Sequence, residues 1–332
     1  MGMKILECDR RCLDALGGKT VAVIGYGNQG RAHALNLRDR GVEVVVGQRA
    51  GDGWRRAEAD GFGPMTVAEA AERGHLIVVA LPDESASEIY AEHIADRVGR
   101  GQALGFIHGF NIRYGFIDPP DGVDVIMVAP KGPGSLLRSL FEEGKGLVSL
   151  LAVERDASGQ AERVALAWAA GIGSDRAAVV ATTFAAETET DLFGEQAVLC
   201  GGVTGLCQAA FDTLVEAGYE PEFAYLECVH ELKQIADLIY TSGISAMRER
   251  ISNTAQFGDL TRGPRVIDAR VREKMRDILA EVRDGRFAAE WMAEHRGGRE
   301  RFKALHEAGV VGELERAGAS VRRLMPWLGG EA

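Results

Sequence analysis

The chain has 332 residues, 46% hydrophobic and 26% charged, which suits a folded protein of about two domains and excludes a disordered one. Its formal net charge of −11 argues against nucleic acid or an anionic membrane surface as the main partner, and leaves room for a small anion in a local basic pocket. No apolar run reaches the length of a signal peptide or a membrane span. The five cysteines, Cys8, Cys12, Cys200, Cys207 and Cys228, are odd in number and irregular in spacing, so they read as reduced thiols of a cytosolic (cytoplasmic) protein.

In chain order, short apolar runs come first: Thr20–Gly25, Val42–Gly47, Leu76–Pro82, Ala103–Gly109, Val123–Pro130 and Gly146–Val153. Amphipathic stretches such as "QGRAHALNLRDRG" and "ESASEIYAEHIADRVG" separate the early ones. Strand alternating with helix implies a parallel sheet with both faces covered, and near-continuous Val, Ile and Leu suits its buried strands. After about Thr183 helical patterns take over: Leu192–Ala217, Pro221–Arg250, Val266–Asp284, Phe287–Arg296 and Arg299–Ala308, with breaks at "AGYEP" and "TRGPRV". The expected organisation is an α/β Rossmann-type domain over 1–182 and an all-α domain over 183–328.

"GYGNQG" (Gly25, Tyr26, Gly27, Asn28, Gln29, Gly30) fits G-x-G-x-x-G between an apolar strand and an amphipathic helix. That context makes it a dinucleotide loop: a tight turn, close backbone approach to a pyrophosphate, and a helix N-terminus with free N–H groups. The second strand ends "VVVGQR" without the usual ribose-binding acid. Arg49 suits a 2′-phosphate, but Asp52 would repel one and suit a diol. The residues lean to NADP(H) and leave NAD(H) or dual use open.

Asp191 and Glu195 are four apart, as are Glu227 and Glu231, each pair set among apolar residues. Like charges at that spacing share a helix face, and burying them calls for a cation; two pairs could make an all-oxygen Mg2+ site. The competing reading is a helix start, in which Thr188 and Asp191 form a capping box; on either reading Glu187 and Glu189 are solvated or capping acids near the domain boundary. The helix start explains "ETETD" but not the Glu227/Glu231 pair. His108 and Lys131 stand at the ends of strands, where doubly wound sheets bind ligands. Taken singly, each also reads as a turn histidine or a solvated lysine.

These motifs, with "HGFNI", "VDVIMVAPKGPG", "ETETDLFGEQAVLCGGVT", "LECVHELKQIADLIY", "ISNTAQFGD", "GPRVID" and "MPWL", resemble the short form of ketol-acid reductoisomerase from about Thr20 to Leu328. The resemblance implies a knotted helical domain that forms a homodimer, two Mg2+ ions and a nicotinamide cofactor. It implies that Glu195 binds one ion, that Asp191 bridges both, and that Glu227 and Glu231 come from the other subunit. His108, Lys131 and Glu195 would be catalytic, Ser252 would hold a substrate carboxylate, and Asp83 and Gly134 would join the glycine loop, Arg49 and Asp52 around the cofactor. The implied reaction is alkyl migration in 2-acetolactate or 2-aceto-2-hydroxybutyrate followed by reduction, in valine and isoleucine biosynthesis.

Departures from the family pattern fall at Asn28, Arg31, Ser135, Glu249–Arg250 and Gln256, and in the shortened loop "RAGDGW", where Asp52 replaces one of a serine pair. They leave open a paralogue acting on a related acetohydroxy acid in a specialised pathway. A plain hydroxyacid or imine dehydrogenase needs no metal, and a nucleotide sensor need not keep the four carboxylates.

Overall fold

The computed structural model describes residues 2–328. It divides into two compact units, Met1–Thr190 and Asp191–Ala332. In the first, strands β1 (Ile5–Leu6), β2 (Thr20–Ile24), β3 (Glu43–Gly47), β4 (Leu76–Val79), β5 (Ala103–Phe106), β6 (Asp124–Pro130), β7 (Ser149–Arg155) and β8 (Val179–Ala181) form one sheet. Its order is β1-β8-β7-β6-β5-β4-β2-β3. Helices α1 (Asn28–Asp39), α2 (Asp52–Ala59), α3 (Val67–Arg73), α4 (Asp83–His93), α5 (Phe110–Arg113), α6 (Gly134–Glu142) and α7 (Ala161–Gly171) connect the strands, and α8 (Phe184–Gly194) leaves the sheet.

The expected parallel sheet holds from β3 through β2, β4 and β5 to β6. It fails at β7, which runs antiparallel to β6, and at β1, antiparallel to β8. Apolar runs report burial and not direction. β6 is buried at all seven positions, whereas β7 loses its burial toward Arg155, as a strand nearer the sheet's margin does. β1 and β8 have two and three residues, too few to show a period.

Trp168 of α7 is fully buried and donates from Nε1 to His33 Nδ1 on α1 (3.0 Å). Burial pushes the His33 imidazole down to about 3, so it sits neutral in the core. All five cysteines are unpaired, and burial, with Cys12 beside it, pushes the Cys8 thiol up to about 12.

The second unit holds α9 (Gly201–Glu216), α10 (Pro221–Tyr225), α11 (Leu232–Arg250), α12 (Asn253–Val266), α13 (Ala269–Arg283), α14 (Arg286–Arg296), α15 (Glu300–Val310) and α16 (Glu313–Arg323). Its small core joins Phe211, Ala224, Tyr225, Ala317 and Val321, and Arg322 Nη1 donates to Tyr225 Oη (3.0 Å). Helix α12 runs through the expected break at "TRGPRV" and ends at Val266, two residues past Pro264. The run expected over Pro221–Arg250 is interrupted instead by a π-helical turn and by Gly243, at φ 80° and ψ 168°.

Two π-helical turns went unforeseen, Glu195–Leu199 and Leu226–His230. The first lets the helix continue past "CGG". Phe184–Glu216 is therefore one helical run whose length and composition suffice to cross a membrane, contrary to the expectation that no run reaches that size. Only 6% of its apolar window is buried.

Candidate active site

The glycine loop joins β2 to α1. Gly25 has φ 97°, and a Cβ at Gly25 or Gly30 would fall inside van der Waals contact of the Ala80 or Gly25 carbonyl oxygen, so both positions require glycine. No side chain caps α1 at Gly27, and a Cβ there would meet no protein atom, which leaves the first amides open to an anion. Gln29 Nε2 donates to the carbonyl of Gly132 (2.9 Å), which braces the loop against the segment where Gly134 opens α6. The Tyr26 side chain is buried, and its hydroxyl donates to Asp60 (2.9 Å). Arg31 donates to the same carboxylate through Nε and Nη2 (2.6 and 3.0 Å), and this pairing first of all holds Asp60 below the ordinary carboxylate range.

Arg49 is exposed after β3, and Asp52 starts α2 and pairs with Arg55. Asp83 starts α4, and its carbonyl accepts from Asn111 Nδ2 (3.1 Å).

His108 follows β5, and Lys131 follows β6. Both reach Glu187 of α8, which is 1% exposed. Lys131 Nζ donates to Glu187 Oε1 (2.8 Å), His108 Nδ1 lies 3.1 Å from Oε2, and the Gly109 amide donates to Oε2 (3.1 Å). Burial pushes the Glu187 carboxyl up, but the hydrogen bond and charge of His108 and of Lys131 outweigh it and hold it at about 2. Gly109 makes this possible: a Cβ there would collide with Thr188 Oγ1 and stand 3.0 Å from the Phe184 carbonyl oxygen.

Glu187 and Glu189 are therefore not solvated or capping acids. Glu189 accepts from Arg113 Nε and Nη2 (3.0 and 2.8 Å). Thr188 is buried inside the helix, and Thr183 supplies the cap, its Oγ1 accepting from the Ala186 amide (3.0 Å). The signal for Glu187 was its place one turn before Asp191, on the same helix face.

Asp191 lies on α8, Glu195 opens the first π turn, Glu227 lies in the second, and Glu231 follows it. The expected burial of these carboxylates is not met in one chain: Asp191 is half-buried, and Glu195, Glu227 and Glu231 are exposed. Among the described residues, the Glu227/Glu231 pair does not close with Asp191 and Glu195 into one ligand cluster. The donor set is all carboxylate oxygen, which fits a hard divalent cation and not a soft one. Ser252 caps α12, its Oγ accepting from the Ala255 amide (3.1 Å), which leaves its hydroxyl hydrogen to donate.

Two family models match the chain: the NADPH-binding domain of acetohydroxy acid isomeroreductase over residues 15–178, and the C-terminal domain of ketol-acid reductoisomerase over 184–327. A ketol-acid reductoisomerase (NADP(+)) of Saccharopolyspora erythraea is 56% identical over 316 residues, covering 95% of each chain. The structure of an NADH-preferring ketol-acid reductoisomerase from an uncultured archean superposes with a TM-score of 0.94 at 43% identity, over 98% of this chain and 99% of that one. A semialdehyde dehydrogenase NAD-binding protein from Cupriavidus necator shares the fold alone, with a TM-score of 0.62 at 17% identity over 80% of this chain and 99% of that one. The glycine loop, the strand-end cluster and the carboxylate-bearing helices thus sit in a chain that belongs to the ketol-acid reductoisomerase family, NAD(P)-dependent oxidoreductases.

Proposed function

We propose that this chain converts 2-acetolactate or 2-aceto-2-hydroxybutyrate to the 2,3-dihydroxy acid by Mg2+-dependent alkyl migration and nicotinamide-dependent reduction, in valine and isoleucine biosynthesis. The observation that carries the reading is the buried Glu187 carboxylate, clamped by His108 and Lys131 one helical turn before Asp191. A plain hydride-transfer enzyme has no use for an acidic face beside that clamp.

Asp191 and Glu195 of one subunit, with Glu227 and Glu231 of the second subunit of a homodimer, would hold two Mg2+ ions. When bound, such ions acidify the C2 hydroxyl and polarise the C3 carbonyl, which is what migration requires. Glu187 fixes the Lys131 ammonium beside the substrate oxygens. It also engages His108 Nδ1, so Nε2 is the atom that passes the proton. The Ser252 hydroxyl donates to the substrate carboxylate while Ala255 holds its lone pair. The open amides of α1 would bind the cofactor pyrophosphate and orient the nicotinamide for hydride transfer.

The lean to NADP(H) is supported by Arg49 and by the Asp52–Arg55 pair, which sets a cation beside the acid at the 2′ position. Dual use with NADH stays within the reading. The working division falls at 182/183, ahead of the packing division at 190/191, so that α8 belongs whole to the metal-binding half. Unpaired cysteines support a reducing, cytoplasmic setting. The exposed apolar window of Phe184–Glu216 is read as a face for a second subunit and not for lipid, because Glu187, Asp191 and Glu195 lie within that run.

A second reading, the same chemistry on a related acetohydroxy acid, is favoured by Gln256. Its Nε2 donates to the Arg248 carbonyl (3.2 Å), a bond that a carboxylate at this position could not make. The test follows NADPH and NADH oxidation with both acetohydroxy acids, with and without Mg2+. Turnover should require the metal; turnover surviving complete chelation would overturn the mechanism.

A further inference from the structure

We infer that Gly201 and Gly202 are positioning residues for the metal site, acting through the first π turn. The inference rests on the carboxylates binding Mg2+ as proposed above. In the π turn Glu195–Leu199 the Cys200 amide donates to the Glu195 carbonyl, five residues back (2.9 Å). That widened turn swings the carbonyls of Gln196 and Ala197 toward the residues five positions later. A Cβ at Gly201 would press into the Gln196 carbonyl oxygen. A Cβ at Gly202 would press into the Ala197 carbonyl oxygen and stand 2.7 Å from its carbon. Real Cβ atoms do not approach so closely, so the π turn requires glycine at both positions.

The π turn holds one residue more than an α turn would, and it sets the rotation of Glu195 relative to everything after it. Helix α9 packs against α10 and against the second π turn, which carries Glu227. That turn closes in the same way, the Glu231 amide donating to the Leu226 carbonyl (3.1 Å). Removing the extra residue would turn α9 by about 100° relative to Glu195. The two glycines therefore fix the rotation of the Glu195 carboxylate relative to α9 and the rest of its own helical unit, and with it how Glu195 stands when the second subunit brings up its own Glu227/Glu231 segment. Single-turn π insertions recur at functional sites for this kind of re-aiming.

The test uses the full-length protein. Mg2+ binding is measured by calorimetry, and NADPH binding by fluorescence, for the parent, Gly201→Ala, Gly202→Ala, a one-residue deletion of Cys200, and Gly205→Ala. The deletion makes an ordinary α turn without pressing a Cβ on a carbonyl, so it keeps the test alive if the alanine variants do not fold. Gly205 has open space around it and is the control. The expected result is Mg2+ affinity at least tenfold weaker in every folded π-turn variant, with NADPH affinity within twofold and Gly205→Ala unchanged. Parent-like Mg2+ affinity in those variants, or equal loss of both ligands, would overturn the positioning role. Absence of Mg2+ binding by the parent itself would instead refute the metal reading.

Discussion

In the unit that ends at Thr190, Trp168, Ile126 and Leu104 are sealed from solvent, while in the unit that begins at Asp191 Tyr240, Leu199 and Leu305 stand 87%, 68% and 64% exposed. Both units are well formed in secondary structure. The sheet buries β2, β4, β5 and β6 between neighbouring strands and helices of the same chain, so its core closes by itself. The helical unit buries one small cluster, Phe211, Ala224, Tyr225, Ala317 and Val321, with scattered residues such as Val282 and Met292, and it leaves Glu195, Glu227 and Glu231 exposed. A surface that is at once apolar and acidic is the expected state of half a symmetric interface with a shared site.

The largest expected effect tests that sharing. Glu195→Gln and Glu227→Gln should each abolish isomerisation while NADPH still binds. Refolding the two variants together should restore about a quarter of parental activity, because half the dimers are mixed and each mixed dimer keeps one intact site. No recovery after mixing would mean that each chain builds its own site. A second break is Leu206→Asp on the exposed face of α9, which should convert dimer to monomer in sedimentation and remove turnover with it.

Within the closed unit, Glu187→Gln leaves Lys131 and His108 facing an uncharged amide. It should cost about 3–5 kcal/mol of stability, read as a lower denaturation midpoint, as well as activity. Smaller is Asp52→Ser: removing one exposed charge near a 2′-phosphate should move the NADPH/NADH preference about fivefold toward NADPH, read from kcat/KM.

The last prediction concerns pH. The folded chain cannot protonate His33 until about pH 3, whereas the unfolded chain does so near its ordinary 6.5. Stability should therefore fall by about 1.4 kcal/mol per pH unit below 6.5, and this slope is measurable between pH 6 and 5. In that window Glu187, held at about 2 against an ordinary 4.5, adds nothing; its own contribution is lost only as pH falls below 4.5. His33→Asn keeps an acceptor for Trp168 and should flatten the slope.

What could be read beforehand follows the range of each physical cause. The requirements at Gly25 and Gly30 are local, and β2 through β6 are continuous apolar runs, so both were legible. The direction of β7 depends on a pairing that no run encodes. Glu187 looked like a helix-start acid because His108 lies 79 positions away and Lys131 lies 56. The first π turn left one trace, the Gly201–Gly202 pair; its shift of about 100° in helical phase falls within "AVLCGGV", a stretch with no polar residue to mark a face. The exposure of the carboxylates was hidden because apolar neighbours in sequence do not say whether this chain or another covers them.

The antiparallel step from β6 to β7 has a consequence for Lys131. Its amide donates to the Val148 carbonyl (2.9 Å), which extends the ladder one residue past β6. The lysine backbone is thus part of the sheet and not of the connection that follows. In hydrogen–deuterium exchange its amide should open with the core of the unit and outlast those of Gly132 and Gly134. The ammonium then swings from a fixed root, and its motion is confined to the rotamers of one side chain.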